Sequence, residues 1–181
     1  MKPVVVAISG SLRSGSFNTI ILETLVEELA DLADIRLHTI ADIPLYNEDN
    51  DGKNSPDTVV RLRDAVRGAA GVILATPEYN HGMSGVLKNA LDWLSRPHFG
   101  AALVGKPVVN ITSSVAFIGG VRAHAQLHET LLAIPAKIVL RPPAVIPSVH
   151  EKIAEGRFVD ELALEFIRQS VKEMLEMREA A

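Results

Sequence analysis

The chain contains no cysteine. Disulfides, thiolate metal sites, thiol nucleophiles and dithiol redox chemistry are excluded together, so any redox role must use a bound cofactor. Long hydrophobic runs are missing as well. None approaches the roughly 18 residues that span a bilayer, and the N-terminus enters a short apolar run without a cleavage-site pattern. The expectation is a cytoplasmic protein with no membrane partner. An excess of positive charge is also absent: the formal net charge is -4, which argues against nucleic acid and anionic membrane surfaces.

Two nucleotide signatures fail at single positions. Residues 9 to 18 read "SGSLRSGSFN", with Gly10 and Gly15 at the spacing of an ATP-binding P-loop. Ser16 stands where that loop needs lysine, and Leu12 stands where a dinucleotide fingerprint needs glycine. Triphosphate chemistry and a Rossmann-type pyrophosphate are both disfavoured. A monoester phosphate fits better. The loop sits between an apolar run and a helical pattern, where backbone N–H groups and the helix dipole favour an anion. Ser11, Ser16 and Asn18 add neutral donors and Arg13 a charged fork.

What is present otherwise is the alternation of βα units around a parallel sheet. Core runs at 3–8, 35–40, 71–76, 107–112 and 136–140 predict five strands, apolar on both faces as in Val72-Ile73-Leu74-Ala75. Helical spacing is read over 18–33, 57–68, 84–95, 120–133 and 159–178. Residues 41–55 form a long loop, and three prolines in 141–150 interrupt regular structure. A length of 181 residues suits one domain, 1–181.

Two further strand-end loops carry polar chemistry. "TPEYNHG", 76–82, offers backbone donors, Tyr79 and Asn80 to a planar polar ligand, and "TSSVAFIGG", 112–120, brings small hydroxyls and glycines. In an open parallel sheet such loops meet beyond the carboxyl ends of the strands.

The stretches "GSLRSGSFN", "PEYNHGMSGVLKNALDW" and the later Gly-Gly-Val-Arg-Ala together resemble the NAD(P)H-dependent FMN reductase and quinone reductase family of flavodoxin-like proteins, over about residues 2–178. The resemblance implies an α/β fold with a doubly wound five-stranded parallel sheet of order 2-1-3-4-5, helices on both faces and FMN at the switch point. It implies a ping-pong cycle in which NADPH or NADH reduces the flavin and a small-molecule acceptor, a quinone or a similar compound, reoxidises it. By position, Ser11, Arg13, Ser16, Asn18 and Thr19 resemble the phosphate-binding group. Pro77, Glu78, Tyr79 and Asn80 resemble the loop against the flavin ring, and Ser113 and Ser114 the outer clamp. Where many relatives read serine-proline-glycine, this chain has Ser114-Val115-Ala116-Phe117, which changes the shape above the ring. The resemblance also implies a homodimer or homotetramer, with Tyr46 and Asn47 of the 41–55 loop able to reach a neighbour's flavin. No acid–base residue is assigned and no 2′-phosphate clamp is identifiable. A non-enzymatic flavodoxin-type carrier is the alternative, although such carriers are usually more acidic and hold phosphate with a threonine-rich loop.

The remaining candidates read as structure. His124 and His128, four apart on a helix, lack a third metal ligand. His81 is a loop histidine that could steer protons or simply be solvated, Trp93 reads as a packing residue, and the charges from Glu173 to Glu179 as a solvated helix face or an oligomer contact.

Overall fold

A computed structural model describes residues 1–96 and 101–179. Its centre is a parallel sheet in which β1 (Val4–Ser9) lies between β2 (Asp34–His38) and β3 (Gly71–Tyr79), and β5 (Pro107–Ser113) lies beyond β3. The chain therefore winds one way from β1 to β2 and the other way from β1 through β3 to β5. This reversal is the switch point of a doubly wound sheet.

Side chains alternate across these strands and so sort the core into two layers. Val5, Ala7, Ile73, Ala75 and Ile111 pack with α1 (Phe17–Glu28) and α5 (Glu161–Glu179). Val6, Ile8, Val72, Leu74 and Val108 face the other way, onto α2 (Asp57–Gly68), α3 (Gly85–Leu94) and α4 (Val121–Ala133). Burial on both faces explains the near-continuous apolar runs.

The expected order is present, with three differences of extent. β3 continues past residue 76 to Tyr79 and folds back onto β4 (Gly82–Met83) as an antiparallel hairpin. Asn80 and His81, with φ of 49° and 66°, make its two-residue left-handed turn. The fifth position is not one strand over 136–140. β6 (Lys137–Ile138) pairs with Pro107 and Val108, and β7 (Ala144–Ile146) pairs with Ile111 to Ser113. Pro142 and Pro143 lie between, where their missing N–H groups suit a break in the ladder. Val109 and Asn110 consequently fall between the two ladders. Finally, β8 (Ile153–Ala154) and β9 (Arg157–Phe158) add a small hairpin in which Phe158 is buried and its N–H donates to Thr24 Oγ1 at 3.1 Å.

The 41–55 loop is strapped to its own chain. Trp93, fully buried on α3, donates from Nε1 to the Pro44 carbonyl at 2.8 Å, and Tyr46 packs edge-on against it at 4.9 Å. Asn89 accepts from the Tyr46 N–H at 2.8 Å and donates to Pro44 O at 2.8 Å. Trp93 thus packs, as its position suggests, and Tyr46 is engaged within the chain. At the far end of the loop, buried Arg63 pairs with Asp51 at 2.9 Å and donates twice to the Trp93 carbonyl.

Candidate functional site

The loops after β1, β3 and β5 emerge side by side because those strands are adjacent and parallel. The first turns back immediately after Ser9. Gly10 donates its N–H to the Ala75 carbonyl at 2.7 Å, so two strand ends are drawn together. A Cβ at Gly10 would lie 2.9 Å from Thr76 Oγ1 and 3.0 Å from Ser84 Oγ, both already hydrogen-bonded, and only glycine permits this approach. Ser16 then caps α1, its hydroxyl accepting from the Thr19 N–H at 3.5 Å. The first turn of α1 carries no acidic residue. No carboxylate of that turn itself competes for its free N–H groups.

A crevice of about 350 Å³ forms where the three loops meet. Nine of the eleven expected residues line it: Ser11, Arg13, Ser16, Asn18, Pro77, Glu78, Tyr79, Ser113 and Ser114. Ser16, Asn18 and Ser113 are 2%, 3% and 2% exposed, so the floor is built of buried hydroxyl and amide groups. Ser113 Oγ donates to Asn18 Oδ1 at 3.1 Å and ties the first loop to the third. Arg13 lies over the Phe17 ring at 5.2 Å and donates to the Ser14 carbonyl at 3.2 Å, which aims the charge across the loop.

Thr19 and Asn80 are not in the lining. Thr19 donates to Ser9 Oγ at 2.9 Å and borders an adjoining hollow of about 470 Å³ that also touches Arg13 and His38. Burial pushes the His38 pKa down, and Arg36 acts in the same direction. Asn80 occupies the exposed tip of the β3–β4 turn.

Glu78 has a second role that sequence reasoning missed. Its Oε2 accepts the N–H groups of Arg122 and Ala123, at 3.0 and 3.1 Å, and caps α4 where the N-cap residue, Gly120, has no side chain to do so. One turn on, Gln126 Oε1 accepts the Met83 N–H at 2.7 Å. The hairpin is thereby clasped to α4. Phe17 and Val149 also line the crevice unforeseen. Phe17 had a signal in its place beside Arg13, but Val149 had none, since a backbone bond to Ser114 at 3.0 Å brings it there from beyond β7.

Residues 3–151 match the model of the NADPH-dependent FMN reductase family. The chain belongs to this family. An NAD(P)H-dependent FMN reductase of Pseudomonas aeruginosa is 40% identical over 169 residues, 93% of this chain and 91% of that protein. A quinone reductase of Escherichia coli is 39% identical over 171 residues, covering 92% and 90%. Among solved structures, the flavoenzyme NAD(P)H:(acceptor) oxidoreductase FerB of Paracoccus denitrificans superposes with a TM-score of 0.85 at 31% identity, over 98% of each chain. The FMN reductase family model ends at 151, so β8, β9 and α5 lie outside it. The family's name carries both FMN and a nicotinamide donor. The groups in the crevice fit FMN: a phosphate cradle free of acidic residues at one end, and the Pro77–Tyr79 strand end with its apolar neighbour Val115 at the other.

Proposed function

We propose that this protein is an FMN-dependent NAD(P)H oxidoreductase that reduces quinones, flavins or similar small acceptors. The observation that carries the reading is the meeting of nine residues from three strand-end loops around one cationic, otherwise neutral phosphate cradle. Arg13, Ser11, Ser16 and Asn18 hold the phosphate, and Thr19 braces that loop through Ser9. Pro77, Glu78 and Tyr79 line the ring, with Asn80 shaping the turn beside it, and Ser113 and Ser114 close the outer side. When bound, FMN supplies the two-electron exchange between nicotinamide and acceptor. The chain's own groups bind, orient and shield. Exposed Val115 and Phe117 shape the approach from solvent, where acceptor preference is set.

The active form is a homodimer or homotetramer in the cytoplasm. The assembly is carried over from the family resemblance, and similarity to named reductases supports the cytoplasmic part of the reading. Sedimentation of the purified protein measures the assembly.

A stopped-flow mix of FMN-loaded protein with NADPH or NADH tests the activity. Bleaching of the flavin band within seconds, followed by recovery on adding a quinone, is expected. A band that persists with both donors overturns the enzyme reading in favour of a carrier.

A further inference from the structure

The adjoining hollow of about 470 Å³ forms where the loop after β1 meets the chain leaving β2. Ser11 and Arg13 line both it and the crevice, so the phosphate loop is a wall that the two spaces share. In the order β2-β1-β3-β5, with strands about 4.8 Å apart, the hollow and the β3–β5 end of the crevice lie about two spacings, roughly 10 Å, from one another. One extended ligand can touch both.

The lining has two halves. Leu12 and Leu37 are 51% and 38% exposed although both are apolar, and with Ile40 and Ala41 they form one half. The other half is polar: Arg13, His38, three serines and two threonines. No carboxylate is among the eleven residues, and Asp42, next along the chain, is outside the lining and pairs with Arg61 at 3.9 Å. Ser9 and Thr19 are taken up by each other, Thr19 donating to Ser9 Oγ at 2.9 Å. Burial and the neighbouring Arg36 push the His38 pKa down, so its ring is neutral near pH 7. The standing charge of the hollow is therefore the Arg13 guanidinium. Arg13, Ser14 and Thr39 are all exposed side chains. Of the five guanidinium donors the Ser14 carbonyl takes one, at 3.2 Å, and Thr39 Oγ1 accepts the Ala41 N–H at 3.2 Å and keeps its own proton to donate.

A cation and hydroxyl donors without an acid select an anion and reject an ammonium. Inorganic phosphate alone leaves both leucines uncovered, and unphosphorylated adenosine leaves Arg13 unmatched. An adenosine that carries a phosphomonoester meets both halves. In dinucleotide-binding α/β proteins a carboxylate takes the adenosine ribose hydroxyls of NAD, whereas an arginine takes the 2′-phosphate of NADP. This hollow has the arginine and lacks the carboxylate.

We propose that the hollow binds the 2′-phosphoadenosine end of NADPH, with the 2′-phosphate on Arg13, Ser14 and Thr39 and the adenine against Leu12 and Leu37, and that it makes NADPH the preferred donor. The identity of the dinucleotide rests on the oxidoreductase reading above. Arg13 then stands between the flavin phosphate and the 2′-phosphate and screens one from the other.

The test uses FMN-loaded protein in two ways. Calorimetric titration with adenosine 2′-phosphate should saturate and be about tenfold or more tighter than with adenosine or adenosine 5′-phosphate. Steady-state rates should give a kcat/KM about tenfold or more higher for NADPH than for NADH. Thr39→Glu, which puts a carboxylate into the hollow, should shrink the NADPH-to-NADH ratio by about tenfold, with FMN content reporting that fold and cradle are intact. Equal kcat/KM for the two donors, no saturation by adenosine 2′-phosphate, or a ratio indifferent to Thr39→Glu overturns the proposal and leaves the oxidoreductase reading standing. Tighter binding of the 5′-phosphate assigns the hollow to a pyrophosphate-linked adenylate and overturns it too. Flavin that neither donor bleaches overturns the oxidoreductase reading itself, and the donor site with it.

Discussion

Arg13 is the cation among the crevice residues, and its guanidinium is held by the Phe17 ring and the Ser14 carbonyl before any ligand arrives. A charged hydrogen bond is worth about 1.5–3 kcal/mol. Arg13→Ala is therefore expected to weaken FMN binding by about tenfold to a hundredfold, read by fluorescence titration; an unchanged affinity contradicts the phosphate role. At this scale much of the site was legible. Ser11, Arg13, Ser16 and Asn18, which line the crevice, all lie within one ten-residue window. The capping role of Glu78 was hidden because its partners lie 44 and 45 residues away, on a helix whose own N-cap is a glycine. The positions of Thr19 and Asn80 beside the crevice lining were hidden for a related reason. Nothing local says that the Thr19 hydroxyl turns back to Ser9, or that Asn80 sits at a turn tip instead of in the crevice wall.

Among the elements, the clasp between the β3–β4 hairpin and α4 gives a sharp expectation. Loss of a cap costs about 0.5–2 kcal/mol, so Glu78→Ala should lower the urea midpoint by that amount and loosen FMN as well. Glu78→Gln, whose amide oxygen can still accept, should restore most of both; equal losses in the two variants would point to charge instead of capping. The 41–55 loop supplies a pH-dependent term. Burial raises the Asp51 pKa, but hydrogen bonds from Arg63, the Gly52 N–H and Ser55 outweigh it and hold the carboxyl below its ordinary 3.8. A depressed folded value means the stabilisation is complete above the unfolded pKa and is lost as pH falls through the folded one. Asp51→Asn should cost about 1.5–3 kcal/mol at neutral pH, and the gap to the parent should close as the pH drops below about 4. Urea unfolding at several pH values checks this, and a gap that stays constant refutes it. Element types were readable from apolar period, and the bounds of α2 were met at both ends. The divided fifth strand was not readable. Pro142 and Pro143 announced a pause, but the return of Ala144–Ile146 to the same edge depends on pairing with β5, a partner over 30 residues away.

For the molecule as a whole, two apolar layers on opposite faces of one sheet leave the ligand-bearing loops at a single edge, outside both cores. Binding there should act on global stability by mass action. FMN at a hundred times its Kd is expected to add about 2.7 kcal/mol, seen as a raised Tm. Riboflavin at equal concentration, which lacks the phosphate, should raise it far less; matching shifts would mean that the cradle after β1 contributes nothing. The layering was legible because runs such as Val4–Ile8 are apolar at every position, a pattern that only burial on both faces explains. The hollow beside the phosphate loop was not, since its two walls meet only through the pairing of β1 with β2.

Because Glu78, from the crevice wall, and Gln126, on α4, tie the hairpin to that helix, the turn beside the crevice owes its shape to α4 rather than to the 114–118 loop facing it. That loop is thus the natural place to diversify by library mutagenesis when new acceptors are sought, with Val115 and Phe117 varied first and the hairpin left intact.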